Sequence, residues 1–79
     1  MELKFTVHFQ SRLTERNLSV DHIKKAIREP DVRETAYEGA LCVRKAVEGK
    51  IIEVIYLKTP SRGKKEEYVI VTAYYLGTK

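Results

Sequence analysis

The chain begins with an alternation of polar and apolar residues through residues 2–7, ELKFTV. A period of two is typical of a strand with one buried face, so the pattern predicts a first strand. From His8 the period lengthens, because Phe9 and Leu13 are about one helical turn apart. Asn17 suits the left-handed residue that ends a helix. The pattern therefore predicts a first helix over residues 8–16.

A second helix is predicted over residues 19–28. Ser19 is a suitable N-cap, and Asp21 lies in the first turn, where the helix dipole favours negative charge. Apolar residues recur on one face at positions 23, 26 and 27, and Pro30 marks the end of the helix. The two helices are short and adjacent, so we expect them to form a hairpin.

The remainder of the chain has the period and composition of strands. Strands are predicted at 35–37, 41–47, 51–57 and 66–75, with a tight EGK turn at 48–50 and a loop at 58–65. The strand at 51–57 is apolar on both faces and is expected to be central. The order is β-α-α-β-β-β, with 35–37 as an additional short strand. We therefore predict an α+β fold in which two N-terminal helices pack on one face of a twisted antiparallel sheet.

The alternation also assigns side chains to the two faces of this sheet. On the last strand, Val69, Val71 and Ala73 are assigned to the helix-covered core. The other face then carries its even-numbered residues, Tyr68, Ile70, Thr72 and Tyr74. On the strand at 41–47, Lys45 has the parity of two valines and Arg44 has the parity of Cys42 and Ala46. One basic side chain therefore interrupts an apolar face. Either its aliphatic stem packs on the sheet and its charged head reaches water, or its charge is held over an open sheet face as part of a site.

Composition narrows the class of protein. Seventy-nine residues, 43% hydrophobic and 33% charged, describe one folded domain over residues 1–79. The net charge of +4 favours anionic partners. The single Cys42 cannot form an intramolecular disulfide, and the N-terminus does not resemble a signal peptide, so a cytoplasmic location is expected. No spacing resembles a metal site, so no metal or other cofactor is expected.

A set of short motifs resembles a known family. These are His8, Arg12, Arg16, Leu18-Ser19, Ile23, Ala26-Ile27, Pro30-Asp31, Gly49, Val54 and the sequence VIVTAYY at 69–75. The pattern resembles domain of unknown function 4258, over roughly residues 5–75, which is grouped near the RelE and BrnT types of ribonuclease toxin. The resemblance implies a RelE/BrnT-like fold of two helices against a twisted antiparallel sheet. It also implies RNA cleavage as the activity and an antitoxin-like protein as a partner.

Metal-independent RNA cleavage requires an acid, a base and cations that stabilise the phosphorane. The candidate catalytic residues are His8, Arg12 and Lys45, and the candidate substrate-binding residues are Arg16, Arg44, Tyr56, Thr72 and Tyr74. Imidazole is the side chain that ordinarily exchanges protons near neutrality, guanidinium binds phosphate through two parallel hydrogen bonds, and tyrosine rings stack on bases. RelE-like ribonucleases commonly place catalytic residues on or after the last strand, whereas this chain has no His or Arg after Arg62.

Other interpretations of the same residues remain open. The spacing of four between His8, Arg12 and Arg16 aligns them on one helix face, which is either a solvated surface or a phosphate site. Arg12 can instead pair with Glu15. The protein is then a non-catalytic nucleic-acid-binding module, or an interaction domain that uses a strand edge or its tyrosine face. RNA and an antitoxin-like protein are the expected partners, no membrane partner is expected, and a homodimer is compatible with the chain.

Overall fold

The computed structural model describes residues 2–59 and 67–78, which form two helices and a five-stranded sheet. The elements are β1 (Glu2–Phe5), α1 (Val7–Glu15), α2 (Val20–Arg28), β2 (Val32–Thr35), a 3₁₀ turn (Tyr37–Gly39), β3 (Leu41–Val47), β4 (Lys50–Thr59) and β5 (Glu67–Thr78). Both helices contribute to a core on the same face of the sheet, so the predicted α+β class is confirmed.

The strand order in the sheet is β1-β5-β4-β3-β2. The three pairs among β2, β3, β4 and β5 are antiparallel, but β1 pairs parallel to β5. The prediction of a wholly antiparallel sheet was therefore wrong for β1. The helical hairpin carries the chain from one edge of the sheet to the other, where β2 runs opposite to β1. Three successive antiparallel pairings then return β5 to the direction of β1.

Both predicted helices are confirmed, and their caps have clear causes. The Thr6 hydroxyl accepts a hydrogen bond from the Phe9 amide at 3.0 Å, so α1 begins before His8. Ser19 caps α2 as predicted, with its hydroxyl 3.4 Å from the His22 amide. Asn17 adopts the left-handed conformation, with φ of 53°, at the end of α1. Each cap satisfies an amide that the helix itself leaves free.

The core lies between the helices and one face of the sheet. Its buried residues are Phe9, Ile23, Ala26, Ile27, Val43, Val47, Ile52, Val54, Tyr56, Ile70 and Ala73. The face assignment on the last strand was right for Ala73 but wrong for Ile70, which is fully buried, whereas Val69 and Val71 are only half-buried. A register shift opposite Ile55 and Tyr56 leaves Val71 as an extra residue in β5. Such a bulge reverses the alternation, so Ile70 and Ala73 both point toward the helices.

The connections between the strands, and the strand ends beside them, match the predicted pattern in part. The short strand predicted at 35–37 lies earlier, at Val32–Thr35, because Glu38 and Gly39 are left-handed and form the 3₁₀ turn instead. The predicted hairpin turn at 48–50 is confirmed, with left-handed Glu48 and Gly49. β4 extends to Thr59, and the rest of the predicted loop at 58–65 lies outside the described residues. β5 continues to Thr78, beyond the predicted end at residue 75.

Candidate nucleic-acid interface

The sheet face opposite the helices, termed here the helix-free face, carries three polar residues side by side. Arg44 on β3 pairs in register with Glu53 on β4, and Glu53 pairs with Tyr74 on β5. Directly opposed residues on neighbouring strands have their side chains on the same face, within contact distance. The three side chains therefore form a row across the middle of the sheet.

Hydrogen bonds join this row into what we call the Glu53 network. The Nε of Arg44 donates to Oε1 of Glu53 at 2.7 Å, and the Tyr74 hydroxyl donates to Oε2. Arg44 also lies 3.5 Å from the Glu34 carboxylate on the edge strand. The Glu53 side chain is only 8% exposed, whereas that of Arg44 is 36% exposed. A buried carboxylate thus holds a partly exposed guanidinium that also lies near Glu34.

The electrostatics of the Glu53 network keep it in one protonation state. Burial acts to raise the pKa of Glu53, but the hydrogen bonds from Tyr74 and Arg44 outweigh it and leave that pKa below its ordinary value. The hydrogen bond to Glu53 raises the pKa of Tyr74, and the same carboxylate raises the pKa of Arg44. At neutral pH the network therefore contains an ionised carboxylate, a neutral phenol and a guanidinium.

Arg16, just beyond the end of α1, reaches the same face from the edge of β5. Its guanidinium donates to the Ala73 carbonyl at 3.0 Å and lies 3.4 Å from the Thr72 hydroxyl. The guanidinium carbon is 5.9 Å from the centre of the Tyr74 ring, a cation–π arrangement. β1 pairs with β5 only at residues 67–70, which leaves the Ala73 carbonyl open to this contact. The structure therefore brings together Arg16, Arg44, Thr72 and Tyr74.

His8 and Arg12 lie on α1 and belong with Arg16 to one row, which we call the α1 basic stripe. The His8 side chain is exposed. Arg12 pairs with the exposed Glu15 at 3.0 Å, as one of the open interpretations expected. Residues 8 and 16 are about 12 Å apart along a helix, at 1.5 Å per residue. The stripe thus extends about two turns from the contact between Arg16 and β5.

Lys45 and Tyr56 lie on the opposite side of the sheet from the Glu53 network. Lys45 shares the helix-covered face with two core valines, and its ammonium group is 3.3 Å from the Asp31 carboxylate. The hydrogen bond from the Ala46 amide is the main cause that lowers the pKa of Asp31, and the hydrogen bond from Lys45 lowers it further. Tyr56 is 3% exposed, with its ring edge-on to Tyr68 at 5.5 Å. The sheet therefore separates both residues from Arg44 and Tyr74.

The second histidine is part of a separate cluster on the helix side. His22 Nδ1 is 2.9 Å from the Tyr75 hydroxyl, and Nε2 is 3.0 Å from the Glu48 carboxylate. Tyr75 follows Tyr74 on a regular part of β5 and so points to the other face. His22 therefore links α2 to the β3–β4 hairpin without contacting the Glu53 network.

Glu53 is the site residue that sequence reasoning missed. A signal was present, since Glu53 is the one charged residue in the apolar run at 51–57. A charged side chain in a central strand needs a partner of opposite charge, and Arg44 on the neighbouring strand β3 is that partner for Glu53. Cys42 is buried beside this pair, and burial raises the pKa of its thiol. The thiol therefore acts as a small apolar side chain.

Among residues 2–59 and 67–78, no group of three or more His, Cys, Asp or Glu side chains is arranged to hold a metal ion. Neither helix in this part of the chain has the length and hydropathy needed to span a bilayer.

The chain matches the family described as domain of unknown function (DUF4258) over residues 5–75 and belongs to it. Comparison with curated proteins and with solved structures gave no match. The family assignment therefore covers both helices and most of the sheet, including every residue of the Glu53 network and the α1 basic stripe.

Proposed function

We propose that this protein is a metal-independent endoribonuclease of the toxin–antitoxin kind, similar to the RelE and BrnT toxins, and that it binds single-stranded RNA. The observation that carries the proposal is the position of Arg16. This residue belongs to the α1 basic stripe and also contacts Tyr74 of the Glu53 network. Arg16 thereby joins the stripe, on the helix side of the sheet, to the helix-free face, and we take the two together as one RNA-binding surface.

The residues of this surface have distinct proposed roles. Arg44 is held through its Nε by Glu53, and its Nη1 exchanges Glu34 for a phosphate. Arg16 and Arg12 bind neighbouring phosphates along the stripe. To do so, Arg12 leaves its ion pair with Glu15 and pairs with an RNA phosphate instead. The Tyr74 ring offers a stacking surface for a base. Lys45 and Tyr56 are left out of the proposed site because they lie behind the sheet.

His8 is the proposed general acid or base. It is the one histidine on this surface, and its exposed ring can reach a strand that lies along the stripe. Glu53 does not fill this role, because both of its oxygens accept hydrogen bonds and its lowered pKa makes it a weak base. Glu53 instead orients Arg44 and Tyr74.

A non-catalytic RNA-binding module is the second candidate function. The observation that favours it is the fixed protonation of the Glu53 network, which places no proton-exchanging pair next to Arg44. In this case the same arginines bind RNA, and His8 contributes only a contact. Cleavage assays separate the two candidates, because a binding module leaves the strand intact.

The test is incubation of purified protein with end-labelled single-stranded RNA in the presence of a chelator. We expect cleavage by the wild type and a fall of at least about a hundredfold for His8→Ala. His22→Gln is the matched control, because His22 lies away from the surface; it retains full activity. Circular dichroism verifies that each variant is folded. Binding without cleavage selects the second candidate, and neither binding nor cleavage rejects both.

A further inference from the structure

A cavity of about 310 Å³ opens near the start of β3, and we call it the Tyr37 cavity. Its walls are Tyr37, Glu38, Ala40, Leu57 and Val71. Leu57 has the parity of Glu53 on β4, and Ala40 has the parity of Arg44 along β3, so the cavity lies on the helix-free face. Leu57 lies four positions from Glu53, and Ala40 lies four positions from Arg44, a distance of about 13 Å along a strand.

The walls of the Tyr37 cavity combine an apolar floor with one charge. Ala40 is buried, and Leu57 and Val71 are half-buried. Tyr37 is 53% exposed. Glu38 is the one charged wall residue, and its carboxylate makes no hydrogen bond or ion pair with the described residues. An apolar slot with an aromatic wall and one acceptor group is the usual form of a site for a flat, polar-edged ligand.

The backbone around Tyr37 and Glu38 is well defined. The Ala40 amide donates to the Tyr37 carbonyl at 2.9 Å, and the Ala36 amide donates to the Ala40 carbonyl at 2.8 Å. Glu38 is held in the left-handed region, with φ of 51°, which few residues other than glycine adopt. The bulge at Val71 forms the facing wall. The cavity is thus built by two local irregularities of the sheet.

We propose that the Tyr37 cavity binds a guanine base of the RNA strand whose phosphates contact Arg44 and Arg16. The inference rests on the proposed function and adds its base specificity. Single-stranded RNA is read through bases that leave the stack, insert between apolar and aromatic side chains and present their Watson–Crick edges. The Tyr37 ring provides the stacking surface, and the Glu38 carboxylate provides two adjacent acceptors.

The donor pattern of guanine decides the choice of base. Its Watson–Crick edge presents two neighbouring donors, N1–H and the N2 amino group, which match the two oxygens of a carboxylate. Adenine and cytosine each place a ring acceptor next to their amino group, and uracil places its single donor between two carbonyls. Each of these three bases directs at least one lone pair toward Glu38. The carboxylate therefore favours guanine over all three.

The test compares uridine oligonucleotides that differ only at one central position, which is G, A, C or U. Fluorescence anisotropy measures their binding to the wild type, Glu38→Gln and Glu48→Gln. Glu48 is the matched control, since it is also an exposed, left-handed glutamate and lies at the other hairpin. We expect the wild type and Glu48→Gln to bind the G-containing strand about tenfold more tightly, and Glu38→Gln to lose that preference.

The outcomes separate this inference from the proposed function. Equal, salt-dependent binding of all four strands by the wild type overturns the guanine site and leaves RNA binding intact. A G preference that persists in Glu38→Gln also overturns it, because the carboxylate would not be the reader. Loss of the preference in Tyr37→Ala supports the aromatic wall. Absence of binding to every strand rejects the proposed function itself.

Discussion

Arg16 and Ala73 are 57 positions apart in the chain, yet the Arg16 guanidinium donates a 3.0 Å hydrogen bond to the Ala73 carbonyl. This bond occupies the edge of β5 beyond the point where β1 stops pairing. The edge is further irregular because register shifts flank the segment at 72–75. The opposite edge, β2, is four residues long and carries Arg33 and Glu34. The uncovered part of β5 and the β2 edge thus have features that hinder pairing with another strand, so the edge-pairing interpretation has less support there than RNA binding.

Replacing Arg16 with alanine tests whether it contacts RNA. We expect weaker binding to single-stranded RNA and a decrease of about 0.7 in the slope of log affinity against log salt, because one phosphate contact is lost. Fluorescence anisotropy titrations at several salt concentrations measure both quantities. Arg28→Ala is the matched control, since Arg28 is an exposed arginine at the end of α2. A similar loss in both variants would indicate a general charge effect instead of a contact.

Tyr74→Phe tests the energetic importance of the Glu53 network. The substitution removes the donor to Glu53 and leaves one oxygen of a largely buried carboxylate unpaired. A hydrogen bond to a charged group contributes about 1.5 to 3 kcal/mol, so we expect the free energy of unfolding to fall by that amount in urea denaturation. Tyr37→Phe, at an exposed tyrosine, is expected to leave it unchanged. Equal stability of Tyr74→Phe and the wild type would mean that the hydroxyl is not bonded to Glu53.

Acid should weaken the fold partly through Glu53. Its pKa is lower in the folded protein than in the unfolded chain, so the folded state binds fewer protons. The stability that it contributes is complete above the ordinary Glu pKa of about 4.3 and is lost as pH falls through the folded value. We therefore expect Glu53→Gln to be less stable than the wild type at neutral pH, with a difference that narrows below about pH 4. Urea denaturation at a series of pH values measures this difference in the free energy of unfolding. A difference that does not change with pH would contradict the lowered pKa of Glu53.

Lys45→Met provides a test on the other side of the sheet. Lys45 was a catalytic candidate by sequence, but its ammonium group pairs with Asp31 behind the Glu53 network. We expect RNA binding and cleavage within about twofold of the wild type, since the loss of one distant charge has a weak, screened effect. Arg44→Met is the matched variant on the helix-free face and is expected to lose activity. A comparable loss of activity in Lys45→Met would mean that the site lies on the helix-covered face of the sheet instead.

The sequence predicted the elements better than their arrangement. Alternation and capping residues located the helices and the three long strands, because those signals are local. The parallel pairing of β1 with β5 depends on which strands meet across the sheet, and alternation carries no information about that. The bulge at Val71 has no signature in VIVTAYY, since β-branched residues suit every position of a strand. One extra residue there reversed the face of Ile70.

The candidate surface was predictable in part for the same reason. The regular spacing of His8, Arg12 and Arg16 identified the α1 basic stripe directly. Arg44, Thr72 and Tyr74 were also identified, but their grouping with Glu53 depends on the register of three strands. Lys45 and Tyr56 were chosen by residue type, and their faces depend on that same register. Side-chain type thus suggested the chemistry, and strand register decided which candidates are neighbours.

An NMR titration of ¹⁵N-labelled protein with a short single-stranded RNA tests the proposed surface directly. The proposed function requires that one surface, from the α1 basic stripe through Arg16 to Arg44, binds RNA. We predict amide shift changes concentrated in α1, at Thr72 and Tyr74, and around Arg44 and Glu53, with α2 unaffected. Changes confined to α2 and the β3–β4 hairpin, or no changes at any RNA concentration, would contradict it.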